Sequence, residues 1–217
     1  MMNLSTILFD FDGTLVQSLP KWLETYRYTF SFYDKELADE RAFIKYWYQP
    51  LPETIAQVGA PSFGEFAGHM EKGFLKAFAT LELYPGAREM LEACHQKKLT
   101  MGLVTSSPRE ALAYTLGRLK IEHYFDTIIT STDIKKPKPH PESVLIALSK
   151  LGKAAGETLF VGDYIYDVAA GQEAGTYTGL FLPPANSPYY DFEELRASRP
   201  DFTFAGYEEL VAYLGLS

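Results

Sequence analysis

The chain has 217 residues, of which 47% are hydrophobic and 22% charged, and its formal net charge is −8 at pH 7. This composition is typical of a globular protein large enough to bury a core. No apolar stretch approaches the roughly 20 residues needed to span a bilayer, and the charge argues against nucleic acid as a partner. With one cysteine, Cys94, and no basic leader in Met1-Met2-Asn3-Leu4, we expect a cytoplasmic protein without internal disulfides.

The first element is an apolar run, Ile7-Leu8-Phe9, which reads as a buried strand ending in Asp10-Phe11-Asp12-Gly13. Side chains alternate along a strand, so both carboxylates point to the same side, and Gly13 permits a sharp turn after them. The pattern predicts that one acid attacks a substrate while the other moves protons. Taken alone, it also fits an ordinary strand-exit turn with a surface acid.

Residues from about 17 to 81 read as entirely helical. Apolar side chains recur there at helical spacing. The predicted helices are residues 18–33, 35–48 and 63–78. Pro50 and Pro52 break the pattern after the second helix. The many aromatic residues of this segment indicate the core of a helical bundle rather than a ligand site.

From Pro85 onward, predicted strands alternate with predicted helices. The strands are residues 99–105, 127–130, 158–162, 176–182 and 201–204, and the helices are residues 87–98, 108–119, 141–151 and 207–214. This alternation predicts an α/β fold with a parallel sheet covered by helices on both faces. In such sheets ligands bind beyond the carboxyl ends of the strands, so polar residues there are the candidate site.

Two further polar clusters follow predicted strands. Thr105-Ser106-Ser107 opens a helix and offers hydroxyls and backbone amides to an anion, although Ser106 or Ser107 also fits as a simple helix cap. The prolines of residues 135–142 hold an extended segment that can aim one ammonium group, that of Lys138. The alternative for this segment is a solvated basic loop.

The last cluster follows the strand at 158–162, where Gly162 precedes Asp163 and, four positions later, Asp167. Asp163 also fits as a helix cap. Together with Asp10, these acids offer the hard oxygen ligands that Mg²⁺ prefers beside a substrate phosphate. The pattern therefore predicts phosphoryl transfer, with Asp10 forming an aspartyl phosphate and Asp12 acting as general acid and base.

We predict that the phosphoryl group is contacted by residues of three segments: the turn at Gly13, the end of the strand 99–105 and the basic segment 135–142. These residues are Gly13, Thr14, Thr105, Ser106 and Lys138. Stabilisation of charge spread over the phosphoryl oxygens is most of what phosphoryl transfer requires, and one ammonium among hydroxyls and backbone amides suits that task.

These motifs closely resemble those of the haloacid dehalogenase superfamily, in its phosphatase and phosphomutase branch with a helical cap. The matching residues are Asp10-Phe11-Asp12-Gly13-Thr14, Thr105, Lys138-Pro139-His140-Pro141 and Gly162 to Asp167, with Lys136 as a rival for the third motif. The resemblance implies a Rossmann-like core of residues 1–16 and 82–217 and a cap of residues 17–81. It also implies Mg²⁺ bound by Asp10, Asp163, Asp167 and the backbone carbonyl of Asp12. Dehalogenase relatives lack the second acid that Asp12 provides.

The expected activity is hydrolysis of a small phosphorylated metabolite by a monomer or small homo-oligomer, similar to that of phosphoglycolate phosphatases. Gln17 departs from that type, whose members commonly carry Asp at this position. A sugar phosphomutase uses the same motifs and is the first alternative. A catalytically idle binding protein is the second, and retention of Asp12 argues against it.

Overall fold

The computed structural model describes residues 4–216, so residues 1–3, on which the expectation about a leader rests, and residue 217 lie outside it. The chain divides into two compact units. The first comprises Met1–Val16, Leu83–Ser187 and Asp191–Ser217, and the second comprises Gln17–Glu82 and Pro188–Tyr190. The assignment of these units to a catalytic core and a cap domain stays a prediction.

The second unit is helical in its described residues. Its α-helices are α1 (Leu19–Phe30), α2 (Ala42–Tyr48), α3 (Leu51–Val58) and α4 (Phe63–Phe78). α1 packs along α4, and the ring of Trp22 meets the edge of Phe78 at 5.0 Å between centroids. Pro188–Tyr190 belongs to this unit because Tyr189 packs edge-on against Phe43. Aromatic packing thus forms the core of this small bundle, as the sequence predicts.

Two details of the helical prediction are wrong. The predicted helix 35–48 starts only at Ala42, because the Asp39 carboxylate accepts hydrogen bonds from the backbone N–H groups of Arg41 and Ala42, both at 2.9 Å. Such local bonds compete with a helix upstream. The structure also contains α3, where Pro50 and Pro52 were read as breakers. Proline is tolerated in the first helical turn, so these prolines begin a helix.

The first unit contains one parallel sheet among residues 4–216. Its strands are β1 (Thr6–Phe9), β2 (Thr100–Val104), β3 (Thr127–Ile129), β4 (Thr158–Gly162), β5 (Tyr177–Phe181) and β6 (Phe202–Phe204). They lie in the order β3-β2-β1-β4-β5-β6, and each neighbouring pair is parallel. The predicted α/β fold with a parallel sheet is confirmed.

Helices cover the sheet. They are α5 (Ala87–Gln96), α6 (Arg109–Leu119), α7 (Glu142–Leu151), α8 (Ile165–Ala174), α9 (Phe192–Arg196) and α10 (Tyr207–Tyr213). α7 and α8 bury side chains against one face, where Leu8, Phe160 and Val144 belong to one apolar cluster. β1 and β4 are buried throughout, as expected for central parallel strands. Burial of this apolar surface stabilises the unit and makes the sheet a rigid platform.

Short 3₁₀ helices complete the described chain. They are Ser31–Tyr33, Glu122–Tyr124, Ser131–Asp133, Ala155–Glu157 and Pro184–Asn186. Ser31–Tyr33 falls at the end of the predicted helix 18–33. The sequence analysis did not predict the other four, nor α9, whose five residues span little more than one helical turn. Every helix within residues 4–216 is too short or too polar to cross a lipid bilayer.

Substitution of Gly102 in β2 tests the packing of the central strands. A methyl group at this position would lie 2.6 Å from Cδ2 of the buried Leu8, so we expect Gly102→Ala to lower the free energy of unfolding by about 1 to 3 kcal/mol. A Cβ at Gly117 on α6 would meet no neighbouring atom within 4 Å, so Gly117→Ala should raise that energy by up to about 1 kcal/mol. Urea unfolding measures both changes in the free energy of unfolding, provided that the m-value is the same for the variants and the unsubstituted protein. Equal effects of the two substitutions would contradict the close packing of Leu8 against Gly102.

Candidate active site

The polar motifs meet where three neighbouring strands end. Phe9 in β1 pairs with Leu103 in β2 and with Val161 in β4, so the residues that follow these strands emerge side by side. After β3 the chain crosses to the other side of β1 before forming β4, so the strand order reverses beside β1. Such a reversal opens a crevice at the carboxyl ends of the strands, where α/β proteins bind ligands.

Three buried carboxylates form the centre of this site. Asp10, Asp163 and Asp167 each place one oxygen within 4.8 Å of the others. Asp163 follows β4, and Asp167 lies in the first turn of α8, where its Oδ2 accepts the backbone N–H of Tyr164 at 3.1 Å. The hydroxyl of Thr14 lies 3.1 Å from Asp163 Oδ1 and 3.3 Å from Asp10 Oδ2. The fold therefore fixes the orientation of all three acids.

One ammonium group lies among these acids. Lys138 Nζ is 2.6 Å from Asp10 Oδ1, 2.6 Å from Asp167 Oδ1 and 3.4 Å from the Val104 carbonyl oxygen. The three N–H donors of the ammonium are thus directed at protein oxygens. Lys136, the rival in the sequence motif, is exposed. The extended proline segment therefore aims Lys138, and not Lys136, at Asp10.

Burial and the charge of the ion-pair partner act in opposite directions on the pKa values of Asp10 and Lys138. Burial raises the pKa of Asp10 to about 7, although the Lys138 ammonium acts to lower that pKa. Burial alone would lower the pKa of Lys138, but the carboxylates of Asp10 and Asp167 raise it well above its ordinary value. Lys138 is therefore charged at neutral pH. For Asp10, the effect of burial exceeds that of the Lys138 ammonium, and the nearby carboxylate of Asp167 adds to the rise in its pKa.

Gly13 allows the turn to approach the acids closely. Its φ is +76°, a region that favours glycine, and a Cβ at this position would lie 2.1 Å from Asp163 Oδ2. Its backbone N–H donates to the carbonyl of Val16 at 3.1 Å, and the N–H of Thr14 donates to Phe11 at 3.3 Å. Gly13 and Thr14 thus build the turn and orient the carboxylates, while their contact with a phosphoryl group stays a prediction.

Three buried polar residues outside the motifs also hold this turn. Asn186 Nδ2 donates to the Gly13 carbonyl at 3.1 Å, and the Tyr207 hydroxyl donates to the Thr14 carbonyl at 2.8 Å. The hydroxyl of Tyr84 is hydrogen-bonded to Asn186 Oδ1. The sequence analysis missed all three. No local sequence pattern links any of them to a turn more than 65 residues away.

The loop after β2 connects to the second acid of the first motif. Ser107 Oγ donates to Asp12 Oδ2 at 2.6 Å, and the Ser107 N–H donates to Thr105 Oγ1 at 3.0 Å. Pro108 occupies the N-cap position of α6, so the interpretation of Ser106 or Ser107 as a helix cap is wrong. Ser106 is exposed, and its contact with phosphate stays a prediction.

Comparison with known proteins identifies the family at this point. Residues 7–180 match the haloacid dehalogenase-like hydrolases. The chain belongs to this family. It is 33% identical to pyrophosphatase PpaX of Bacillus velezensis, over 99% of this chain and 98% of the relative. It is 29% identical to a phosphoglycolate phosphatase of Salmonella typhi, over 100% and 94% of the two chains.

A solved structure shares the fold of this haloacid dehalogenase-like chain. A HAD family hydrolase from Deinococcus radiodurans, solved with bound phosphate and sodium, superimposes with a TM-score of 0.80 and 22% sequence identity. The alignment covers 100% of this chain and 98% of that one. The predicted family and the predicted hydrolase class are confirmed.

The structure gathers most of the predicted site residues of this family member in one place. Those at the strand ends or among the acids are Asp10, Asp12, Gly13, Thr14, Thr105, Lys138, Asp163 and Asp167. Asp163 precedes α8, whose N-cap is Tyr164, so Asp163 is not that helix's cap. The individual chemical roles of these residues stay predictions.

The acid cluster fits a hard divalent cation. Its three carboxylates are buried, and together with Lys138 they carry an excess of negative charge in a site from which water is largely excluded. Carboxylate oxygens are the ligands that Mg²⁺ prefers, and a divalent cation would offset that excess. The absence of a side chain at Gly13 lets the Asp163 carboxylate lie against the turn that follows Asp10 and Asp12. These residues are therefore suited to hold the metal that the family motif implies.

Substitution of Asp163 separates metal binding from folding. Without metal, Asp163→Asn should raise the free energy of unfolding by about 1 kcal/mol, because it removes one of three mutually repelling buried charges. Addition of Mg²⁺ should stabilise the unsubstituted protein by up to about 2.7 kcal/mol at a hundredfold excess over Kd, and the variant much less. Thermal unfolding with EDTA and with MgCl₂ measures both effects.

The matched control is Glu173→Gln, an exposed carboxylate-to-amide change on α8. It should leave the response to Mg²⁺ unchanged. Equal stabilisation of the Asp163→Asn variant and the unsubstituted protein by Mg²⁺ would show that the ion binds elsewhere.

Proposed function

We propose that this protein is a Mg²⁺-dependent phosphatase that hydrolyses small phosphorylated compounds through an aspartyl phosphate on Asp10. One observation carries the proposal. The carboxylate of Asp10 lies at the end of the central strand β1, 2.6 Å from the ammonium of Lys138 and within 4.8 Å of two further buried acids. A carboxylate held in this way has the position and the neighbours that a nucleophile toward a phosphate dianion needs.

In the first step, a carboxylate oxygen of Asp10 attacks phosphorus and the bond to the leaving oxygen breaks. Asp10 is held by Lys138 on one oxygen and by Thr14 on the other, so it is oriented before the substrate arrives. Such orientation lowers the barrier because the entropy of alignment is lost during folding instead of in the reaction.

Thr105 and Lys138 are proposed to contact the phosphoryl oxygens that do not react. The Thr105 side chain is buried just after β2, and the Lys138 ammonium lies 3.4 Å from the carbonyl oxygen of Val104, the residue before Thr105. Because the three donors of Lys138 already face protein oxygens, a phosphoryl oxygen would share one of them. Fixed donors of this kind stabilise the charge that develops in phosphoryl transfer.

Asp12 is proposed to give a proton to the leaving oxygen and then to take one from the water that attacks the phosphorylated Asp10. Its carboxylate accepts a hydrogen bond from Ser107, whereas the carboxylate of Asp10 forms an ion pair with Lys138. A positioned acid and base of this kind contributes about 10² to 10⁴ in rate.

Asp10, Asp163, Asp167 and the backbone carbonyl of Asp12 would hold the Mg²⁺. When bound, the ion supplies positive charge that screens the repulsion between the nucleophile and the phosphate dianion. The family motif supports the place of the Asp12 carbonyl in this set.

The relatives' names suggest the substrates to test first, inorganic pyrophosphate and phosphoglycolate. Gln17 stands where phosphoglycolate phosphatases commonly carry Asp, so we give pyrophosphate and other small phosphate compounds equal weight in the test. A cytoplasmic location and a monomeric or small homo-oligomeric state belong to the proposal on the basis of the sequence.

A panel of phosphorylated metabolites, pyrophosphate and p-nitrophenyl phosphate, assayed for phosphate release with MgCl₂, tests this function. Release from at least one compound supports it. If a phosphosugar instead yields its isomer in the presence of a bisphosphate primer, the protein is a phosphomutase. If the whole panel is left intact, the result contradicts the proposal and favours an idle binding protein.

Substitution of the nucleophile gives a direct prediction. Asp10→Asn should reduce phosphate release to background, because an amide oxygen is too weak a nucleophile to form the acyl phosphate. The variant should remain folded by circular dichroism. Asp34→Asn, at an exposed turn position with φ of +49° that Asn tolerates, is the matched control and should keep full activity. Phosphate release by the Asp10→Asn variant at the rate of this control would exclude Asp10 as nucleophile.

A further inference from the structure

The hydrogen bond between Ser107 and Asp12 has a geometry that the family motifs do not account for. Ser107 Oγ donates to Asp12 Oδ2 at 2.6 Å, within the range of strong hydroxyl-to-carboxylate bonds. We propose that Ser107 is a positioning residue for this reaction, which holds the Asp12 carboxylate in the orientation needed for proton transfer. The inference rests on the proposed function, because it assigns a partner to the proposed acid and base.

The backbone of Ser107 is itself held on both sides. Its N–H donates to Thr105 Oγ1 at 3.0 Å, and its carbonyl accepts the N–H of Ser131 at 3.2 Å. The next residue is Pro108, whose ring fixes φ and leads into α6. The hydroxyl therefore projects from a restrained loop, and it is directed at Asp12 instead of capping the helix.

A hydroxyl suits a partner that must alternate between two forms. It donates to a carboxylate, and it accepts from a carboxylic acid by rotation about the Cβ–Oγ bond. The contact therefore survives when Asp12 gains or loses its proton. A lysine at this position would contact only the carboxylate form, because an ammonium has donors but no acceptor.

This contact also joins two parts of the site. Thr105, proposed to bind the phosphoryl group, holds the backbone of Ser107, and Ser107 holds Asp12. The acid and base is thereby fixed relative to the strand end that receives the phosphoryl group. Displacement of a reacting group by about 1 Å costs as much as 10²-fold in rate, so loss of the Ser107 hydroxyl should be visible in turnover.

The test uses leaving groups of different basicity. For the full chain with MgCl₂, kcat/KM is measured for a series of monoesters from alkyl phosphates to 2,4-dinitrophenyl phosphate. Ser107→Ala should lower kcat/KM for alkyl phosphates by about 10- to 100-fold, because an alkoxide leaves only with a proton. For dinitrophenyl phosphate the loss should be less than about threefold, since that anion leaves without protonation.

Matched variants separate positioning from a merely structural effect. Ser107→Thr keeps the hydroxyl and should restore the profile of the unsubstituted protein, and Ser149→Ala, an exposed serine on α7, should leave it unchanged. An equal loss for every leaving group in Ser107→Ala would overturn the proposal. If that variant does not fold, Ser107→Cys replaces the hydroxyl by a weak donor and provides the same comparison.

Asp12→Asn distinguishes failure of this inference from failure of the proposed function. If Asp12→Asn loses alkyl phosphate turnover selectively and Ser107→Ala does not, Ser107 has no positioning role and the proposed function stands. If Asp12→Asn shows the leaving-group profile of the unsubstituted protein, Asp12 is not the acid. The proposed mechanism then fails together with the role of Ser107.

Discussion

The site depends on three buried carboxylates that share one ammonium. Asp10, Asp163 and Asp167 lie within 4.8 Å of one another, and Lys138 bridges two of them at 2.6 Å. When all three acids are ionised, three negative charges and one positive charge leave an excess of two, which burial makes costly. The fold holds this arrangement through the hydroxyl of Thr14 and the first turn of α8. An arrangement of this kind, unfavourable for stability and suited to the proposed cation, is common at functional sites.

Parallel strand order is what brings these groups together. Consecutive parallel strands need a crossover, so residues at equivalent strand ends are far apart in sequence and adjacent in space. β1 lies between β2 and β4, which places Asp10 between the residues that follow those strands. The close approach of Gly13 to Asp163 then determines how tightly the turn fits the acids. The topology therefore sets which residues meet, and the turn sets their separation.

Sequence patterns predicted the fold and the meeting of the motifs, because alternating strands and helices and polar strand ends are local signals. They failed where tertiary context decides. Asp39 delays the start of α2, and prolines begin α3. Asn186, which binds the Gly13 carbonyl, lies 173 positions from it and carries no pattern of its own. Ser107 was read as a possible helix cap, because sequence alone does not show where a short hydroxyl points.

The structure also explains how two aspartates, one residue apart on the same strand end, can serve different chemistry. Asp10 contacts an ammonium and lies beside two other acids, so it is suited to attack phosphorus and to bind a cation. Asp12 contacts a hydroxyl, which accommodates a carboxylate and a carboxylic acid equally. In the proposed reaction the division of labour thus follows from the surroundings of two identical side chains, as in other enzymes with paired acids. The loop after β2, which supplies that hydroxyl, is therefore as much a part of the proposed catalytic site as the acid motif.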